Sequence, residues 1–138
     1  GSAMRIARPN EINERIGGET APIIVCGHSH VPRMIKRHAG QSDEQLLFNP
    51  GSVGLQAYAA DEPHYYAIEN GSPDARYAIL EWRNGLWQVD FHAVAYDFES
   101  MAQLAQTRGR DDWARALRTG YMVILFEGII QRLNFSFI

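Results

Sequence analysis

The dipeptide Asn84-Gly85 is the strongest constraint on how this chain folds, because it stands between two predicted strands, the first with a continuous apolar run and the second with alternating apolar residues. These segments run from Arg76 to Trp82 and from Trp87 to Tyr96. Asn-Gly is favoured in two-residue hairpin loops, where both positions need positive φ. The pattern therefore predicts an antiparallel hairpin over residues 76–96.

Hydrophobic periodicity predicts the other elements. Apolar residues spaced three or four apart indicate helices, and short β-branched runs indicate strands. The predicted helices are approximately Glu11–Ile16, Glu99–Gln106 and Asp111–Arg118, and the predicted strands are Ile23 to Cys26, Val31 to Lys36, and Leu46 to Phe48. Residues 55–75 are rich in Gly, Pro, Asp and Tyr and are expected to form a long irregular excursion. The predicted fold class is α+β, with mostly antiparallel strands from Ile23 to Tyr96 in one sheet, followed by helices.

Two patterns predict which side chains are buried. Ile23 to Cys26 contains no polar residue, which favours a strand buried on both faces and makes Cys26 an inert core residue. After Phe98 the helical period places Met101, Leu104 and Ala105 on one face, with Trp113 and Leu117 on another. These stripes are expected to face the core.

Composition excludes several classes of protein. The chain has 138 residues, 46% hydrophobic and 21% charged, which is typical of one globular domain. A formal charge of −3 without a basic tract disfavours nucleic acid as a partner. The single cysteine favours a reducing compartment, and the polar stretch after Met4 is unlike a signal peptide, so a cytoplasmic protein is expected. Residues 1–3 read as the scar of an expression tag, which makes residues 4–120 the domain.

Residues 121–138 form an apolar tail. Polar residues such as Glu127 and Arg132 interrupt it, so it does not match the roughly 20 apolar residues of a membrane helix. Two alternatives stay open, a core strand or helix and a partner-binding surface. We expect the tail to pack on its own sheet or across a dimer, so a homo-oligomer is one predicted assembly. Its buried residues are then expected to be Val123, Leu125, Phe126, Ile129 and Ile130.

Two histidines follow the first predicted strand, in the sequence Cys26-Gly27-His28-Ser29-His30. In an extended segment, residues i and i+2 point to the same side, so the two imidazoles can converge. Converging imidazoles suit zinc, manganese, iron or nickel. A His-x-His pair alone is weak evidence, and two hydrogen-bonded surface histidines are the alternative interpretation.

A second motif, Asn49-Pro50-Gly51-Ser52-Val53-Gly54, also follows a short apolar strand. Together with Gly-His-x-His, in this order, it resembles the C-terminal half of the calcineurin-like metallophosphoesterases, particularly the small bacterial phosphodiesterases. The resemblance covers roughly Pro9 to Gly120. It implies about half of an αββα sandwich and hydrolysis of a phosphodiester or phosphomonoester substrate.

The resemblance also implies roles for particular residues. His28 would be a ligand of one metal and His30 a ligand of its neighbour, in a pair of Mn, Fe, Zn or Ni ions about 3.5–4 Å apart that clamps a phosphoryl group and generates a hydroxide. Arg33 and His64 are candidate substrate contacts, and a solvated side chain is the alternative for each. No catalytic residue is assigned. The loop beside the site would be structural, and its implied members are Gly27, Asn49, Pro50, Gly51 and Ser52.

The chain departs from the family before His28, where it has no histidine and no aspartate, only Glu11, Glu14 and Glu19. The family's bridging carboxylate, asparagine ligand and catalytic histidine therefore have no counterpart. We expect weak or no metal binding and little turnover by this chain alone, with an N-terminal half supplying the remaining ligands. Two other hypotheses are a non-catalytic binding or scaffold module and an α+β domain whose histidine turn carries no chemistry.

Overall fold

The computed structural model describes residues 5–62, 65–122, 125–126 and 129–130. It confirms an α+β fold in which short sheets alternate with helices. Three helices lie in the described residues: α1 Pro9–Ile16, α2 Phe98–Thr107 and α3 Asp111–Thr119. The strands are β1 Ile23–Val25, β2 Arg33–Arg37, β3 Gln45–Asn49, β4 Ala57–Ala60, β5 Tyr66–Glu69, β6 Ala75–Arg83, β7 Leu86–Val94, β8 Leu125–Phe126 and β9 Ile129–Ile130.

The predicted hairpin is confirmed. Strands β6 and β7 pair antiparallel from Ala75↔Val94 to Arg83↔Leu86. Asn84 and Gly85 have φ angles of 52° and 80°. Positive φ at both positions matches the twist of the flanking strands, which is why Asn-Gly closes this turn.

Strand β3 is the centre of a three-stranded sheet in the order β1-β3-β2, and all five of its residues are buried. It runs parallel to β1 and antiparallel to β2. The prediction that Ile23 to Cys26 is buried on both faces was wrong. Strand β1 lies at the sheet edge, so Val25 and Cys26 are exposed. Strand β3 is buried along its whole length, with β1 on one side and β2 on the other.

Two further predictions were wrong. Residues 55–75 contain an antiparallel pair, β4–β5, with register from Ala57↔Glu69 to Ala60↔Tyr66. The strands from Ile23 to Val94 also form three separate sheets, β1-β3-β2, β4-β5 and β6-β7, and not one. Within the described residues, no backbone ladder joins these three sheets. Side chains connect them, as where the Phe48 and Phe91 rings meet edge-on with their centroids 6.4 Å apart.

Helices α2 and α3 pack through small side chains. Ala102 and Ala105 of α2 meet Ala114 and Leu117 of α3 in a buried cluster. The helix bounds were predicted to within two residues, and the predicted burial of Ala105 and Leu117 is confirmed. The predicted burial of Met101, Leu104 and Trp113 was wrong: these residues are exposed, because alanines allow the closest approach of the two helices.

The two ends of the described chain are a helix and a short pair of strands. Helix α1 contains no buried residue. In the tail, β8 and β9 pair as a short antiparallel ladder. The predicted burial of Val123 lies outside the described residues, as does that of the side chains on β8 and β9. In the part of the chain that the structure describes, every helix is too short or too polar to cross a membrane.

Candidate functional site

The histidine turn follows β1 and does not continue its extended backbone. His28 and His30 have φ angles of 73° and 55°. The left-handed region costs a residue with a Cβ about 1–2 kcal/mol, so the surrounding structure must hold the turn. The assumption that i and i+2 point the same way in an extended segment therefore does not apply here.

Asn49, the last residue of β3, holds this turn. Its Nδ2 donates to the Gly27 carbonyl oxygen at 3.3 Å and to Ser29 Oγ at 2.9 Å. The side chain is 4% exposed, so these bonds are protected from competition with water. The structure thus brings the Asn-Pro-Gly-Ser loop against the Gly-His-x-His turn.

The same loop is anchored on its other side to strand β6. Asn49 Oδ1 accepts the Gly51 amide at 2.9 Å, and Ser52 O accepts the Arg76 amide at 2.8 Å. Gly51 has φ 95°, and a Cβ there would lie 2.5 Å from Arg76 Cβ. Glycine is required at this position by both its backbone angle and its close approach to β6.

Two tyrosines complete the surroundings of the histidines, and sequence reasoning did not place them there. The Tyr58 hydroxyl lies 3.1 Å from both His28 Nδ1 and the His28 carbonyl oxygen. Its ring centroid lies 5.0 Å from that of His30, and the Tyr66 ring lies 6.2 Å from that of His28. Partial burial, with the neighbouring Tyr66, raises the pKa of Tyr58, so its hydroxyl stays protonated. The tyrosines reach the site because β4 and β5 pair, and Ala57-Tyr58-Ala59-Ala60 carries no periodicity that signals a strand.

His30 has the properties of a neutral ligand. Burial lowers the pKa of His30, with a smaller opposing effect from the nearby Leu55 backbone and a further lowering by His28. Its Nδ1 is buried and has no hydrogen-bond partner among the residues described. A neutral imidazole with an unsatisfied nitrogen is the form that coordinates a metal. This observation fits the metal-ligand role that the family resemblance implies.

The other predicted residues lie in different surroundings. Arg33 donates from Nη1 to the Ala7 carbonyl oxygen at 2.7 Å, so part of its guanidinium positions the N-terminal segment. His64 lies outside the described residues. Cys26 is an exposed residue whose sulfur atom is nevertheless partly shielded from solvent. This partial burial raises the pKa of the thiol and so disfavours the thiolate. Within residues 5–62 and 65–122 no three His, Cys, Asp or Glu side chains are grouped to hold a metal ion. The histidine turn therefore has no group of carboxylates beside it among these residues.

Comparisons with protein-family models, with curated proteins and with solved structures found no match.

The lowered pKa of His30 predicts a pH dependence of stability. His30 has a pKa near 6.5 in the unfolded chain and a lower pKa in the folded chain. This residue's contribution is therefore fully present above pH 6.5 and is lost as the pH falls toward the lowered folded-state pKa. We expect the free energy of unfolding to decrease between pH 7 and pH 5, and to decrease less in His30→Asn, because Asn tolerates positive φ. Urea melts across this range measure how steeply the free energy of unfolding changes with pH in the unaltered chain and in the variant. Equal slopes would contradict the assignment.

Proposed function

We propose that this chain is the C-terminal part of a metal-dependent phosphoesterase, with His28 and His30 as metal ligands. The observation that carries the proposal is the unpartnered, buried Nδ1 of His30 in a turn that Asn49 holds in a strained conformation. Strain in the left-handed region is a recurrent feature of functional sites. The resemblance of the two motifs to the metallophosphoesterases supports the same assignment.

The surrounding residues orient the two imidazoles. The hydrogen bond between Tyr58 and His28 Nδ1 leaves the opposite ring nitrogen of His28 for a metal. Contacts to the second ring nitrogen commonly set the orientation and basicity of a ligating histidine. Two divalent metals, when bound, would supply Lewis-acid polarisation of the phosphoryl oxygen. The carboxylate ligands would come from a further segment or a second chain, so the proposed partners are that segment and a phosphoester substrate, in the cytoplasm.

Metal titration tests this proposal. We expect weak binding of Zn²⁺ or Mn²⁺ by this chain in calorimetry, and loss of that binding in His28→Ala and in His30→Asn. His38→Asn is the matched control, because His38 also has positive φ (50°) but is exposed and pairs with Asp43 at 2.7 Å. Unchanged binding in both site variants, or equal loss in the control, would show that these histidines are not ligands.

Hydrolysis is tested at the level of the longer enzyme. With manganese and a nitrophenyl phosphodiester, we expect either histidine replacement to abolish turnover by the complete protein, and this chain alone to show little or none. Unchanged turnover after both replacements, or robust turnover by the isolated chain, would contradict the proposal.

A second candidate is a non-catalytic binding or scaffold module. The β6–β7 hairpin favours it, because Trp82 and Leu86 are 59% and 58% exposed at its closed end. Exposed aromatic residues are enriched where proteins bind one another. Under this alternative, the His28 and His30 variants should leave the self-association of the chain unchanged, and changes at the hairpin should alter it.

A further inference from the structure

A cavity of about 350 Å³ separates helix α1 from the three-stranded sheet. Its walls are mainly apolar side chains from both layers. They are Ile12 and Ile16 of α1, Ile24 of β1, Ile35 of β2, and Leu47 and Phe48 of β3. The volume lies at the lower end of the range for small-molecule sites, about 300–1,000 Å³.

Polar contacts, and not apolar packing, hold α1 over this cavity. Arg33 donates to the Ala7 carbonyl oxygen at 2.7 Å, just before the helix, and Arg37 Nε donates to Asn13 Oδ1 at 2.9 Å. The helix has no buried residue, although Ile12 and Ile16 lie on its cavity side. The apolar face of α1 therefore lines open space, and an apolar molecule between the layers would cover it.

The cavity also carries an excess of positive charge. Arg5, Arg15 and Arg33 line it. Glu11 accepts two hydrogen bonds from Arg5 and so balances its charge. No carboxylate on the described residues forms an ion pair with Arg15 or with the half-buried Arg33. Glu69, the acidic residue that lines the cavity, accepts the Met122 amide at 2.6 Å.

We propose that this cavity binds an unbranched aliphatic anion, with its chain between α1 and the sheet and its charged head at Arg33. The cavity holds the equivalent of roughly a dozen waters at about 30 Å³ each, which suits a chain of about ten carbons. A guanidinium pairs well with either a carboxylate or a phosphate ester, so the head is specified by charge. His28 and Asn49 of the histidine turn also line this cavity. The proposed binding uses Arg33 and the apolar walls and needs no metal, so the probes are titrated without metal and the result is independent of the metal function proposed above.

Binding of decanoate, decyl phosphate and decanol below their micelle concentrations tests the proposal by calorimetry and by amide chemical shifts. We expect both anions to bind at least tenfold more tightly than decanol. Arg33→Gln should weaken binding of the anions about tenfold more than binding of decanol, since a charge-assisted hydrogen bond contributes about 1.5–3 kcal/mol. Any loss of the Arg33 contact to Ala7 affects all three probes alike. Arg33→Lys should recover part of the loss. A preference between the two anions identifies the natural head group.

Filling the cavity tests the position of the chain. Ile16→Phe and Ile12→Phe each take up part of this space and should weaken binding of all three probes. Ile79→Phe is the matched control, because Ile79 is 44% exposed on β6 and does not line the cavity. Circular dichroism establishes that each variant is folded. Three results would overturn the proposal: no binding of either anion to the unaltered chain, unaltered affinity in the folded filled variants, or equal affinity for decanoate and decanol.

Discussion

Gly120→Ala is expected to lower the free energy of unfolding by about 2–5 kcal/mol, the sum of a left-handed backbone penalty and a steric one. Gly120 ends helix α3 with φ 68°. A Cβ there would lie 2.7 Å from the Ser72 carbonyl oxygen and 2.8 Å from Asn70 Oδ1, and closer still to the Ser72 amide nitrogen. The backbone cannot retreat, because Gly71 N donates to Gly120 O at 3.0 Å.

Gly109→Ala is the matched control for this change. Gly109 has φ 71°, and nothing lies within 4 Å of the position its Cβ would take. This variant should therefore be destabilised only by the backbone penalty, about 1–2 kcal/mol. Urea melts of the two variants separate the conformational cost from the steric one. Equal losses would show that the contact between α3 and the loop at residues 70–72 does not exist in solution.

Phe48→Ala is expected to lower the free energy of unfolding by about 3–5 kcal/mol, the usual cost of removing a buried aromatic ring. Phe48 is 6% exposed at the centre of the three-stranded sheet. Its ring contacts Phe91 edge-on, which joins this sheet to the β6–β7 hairpin.

Phe91→Ala provides the comparison, because it removes the other ring of the same contact. Phe91 is 39% exposed, so its truncation removes less buried apolar area than that of Phe48 and should cost less stability. Thermal or urea denaturation measures both. If the two variants lost equal stability, β3 would not be the centre of the core.

Sequence reasoning predicted part of the site and missed the rest for a physical reason. His28 and His30 were identified from residue type and spacing, and Asn49 from its place in the second motif. Tyr58 was missed because its contact with His28 depends on the pairing of β4 with β5, which no local pattern announces. The conformation of the turn was missed as well, since its positive φ angles are imposed by hydrogen bonds from Asn49, about twenty residues away in the chain.

The sequence by itself determined the local structure of this protein: the hairpin at Asn84-Gly85 and the three helices, which were predicted to within two residues. Turn chemistry and hydrophobic period act between near neighbours, so these elements can be read without tertiary contacts. Tertiary structure alone decided burial and strand order. Ala102, and not Met101, packs against α3, while β3 takes the centre of its sheet and leaves Val25 exposed at the edge. Burial depends on which distant element covers a surface, and a local apolar pattern does not contain that information.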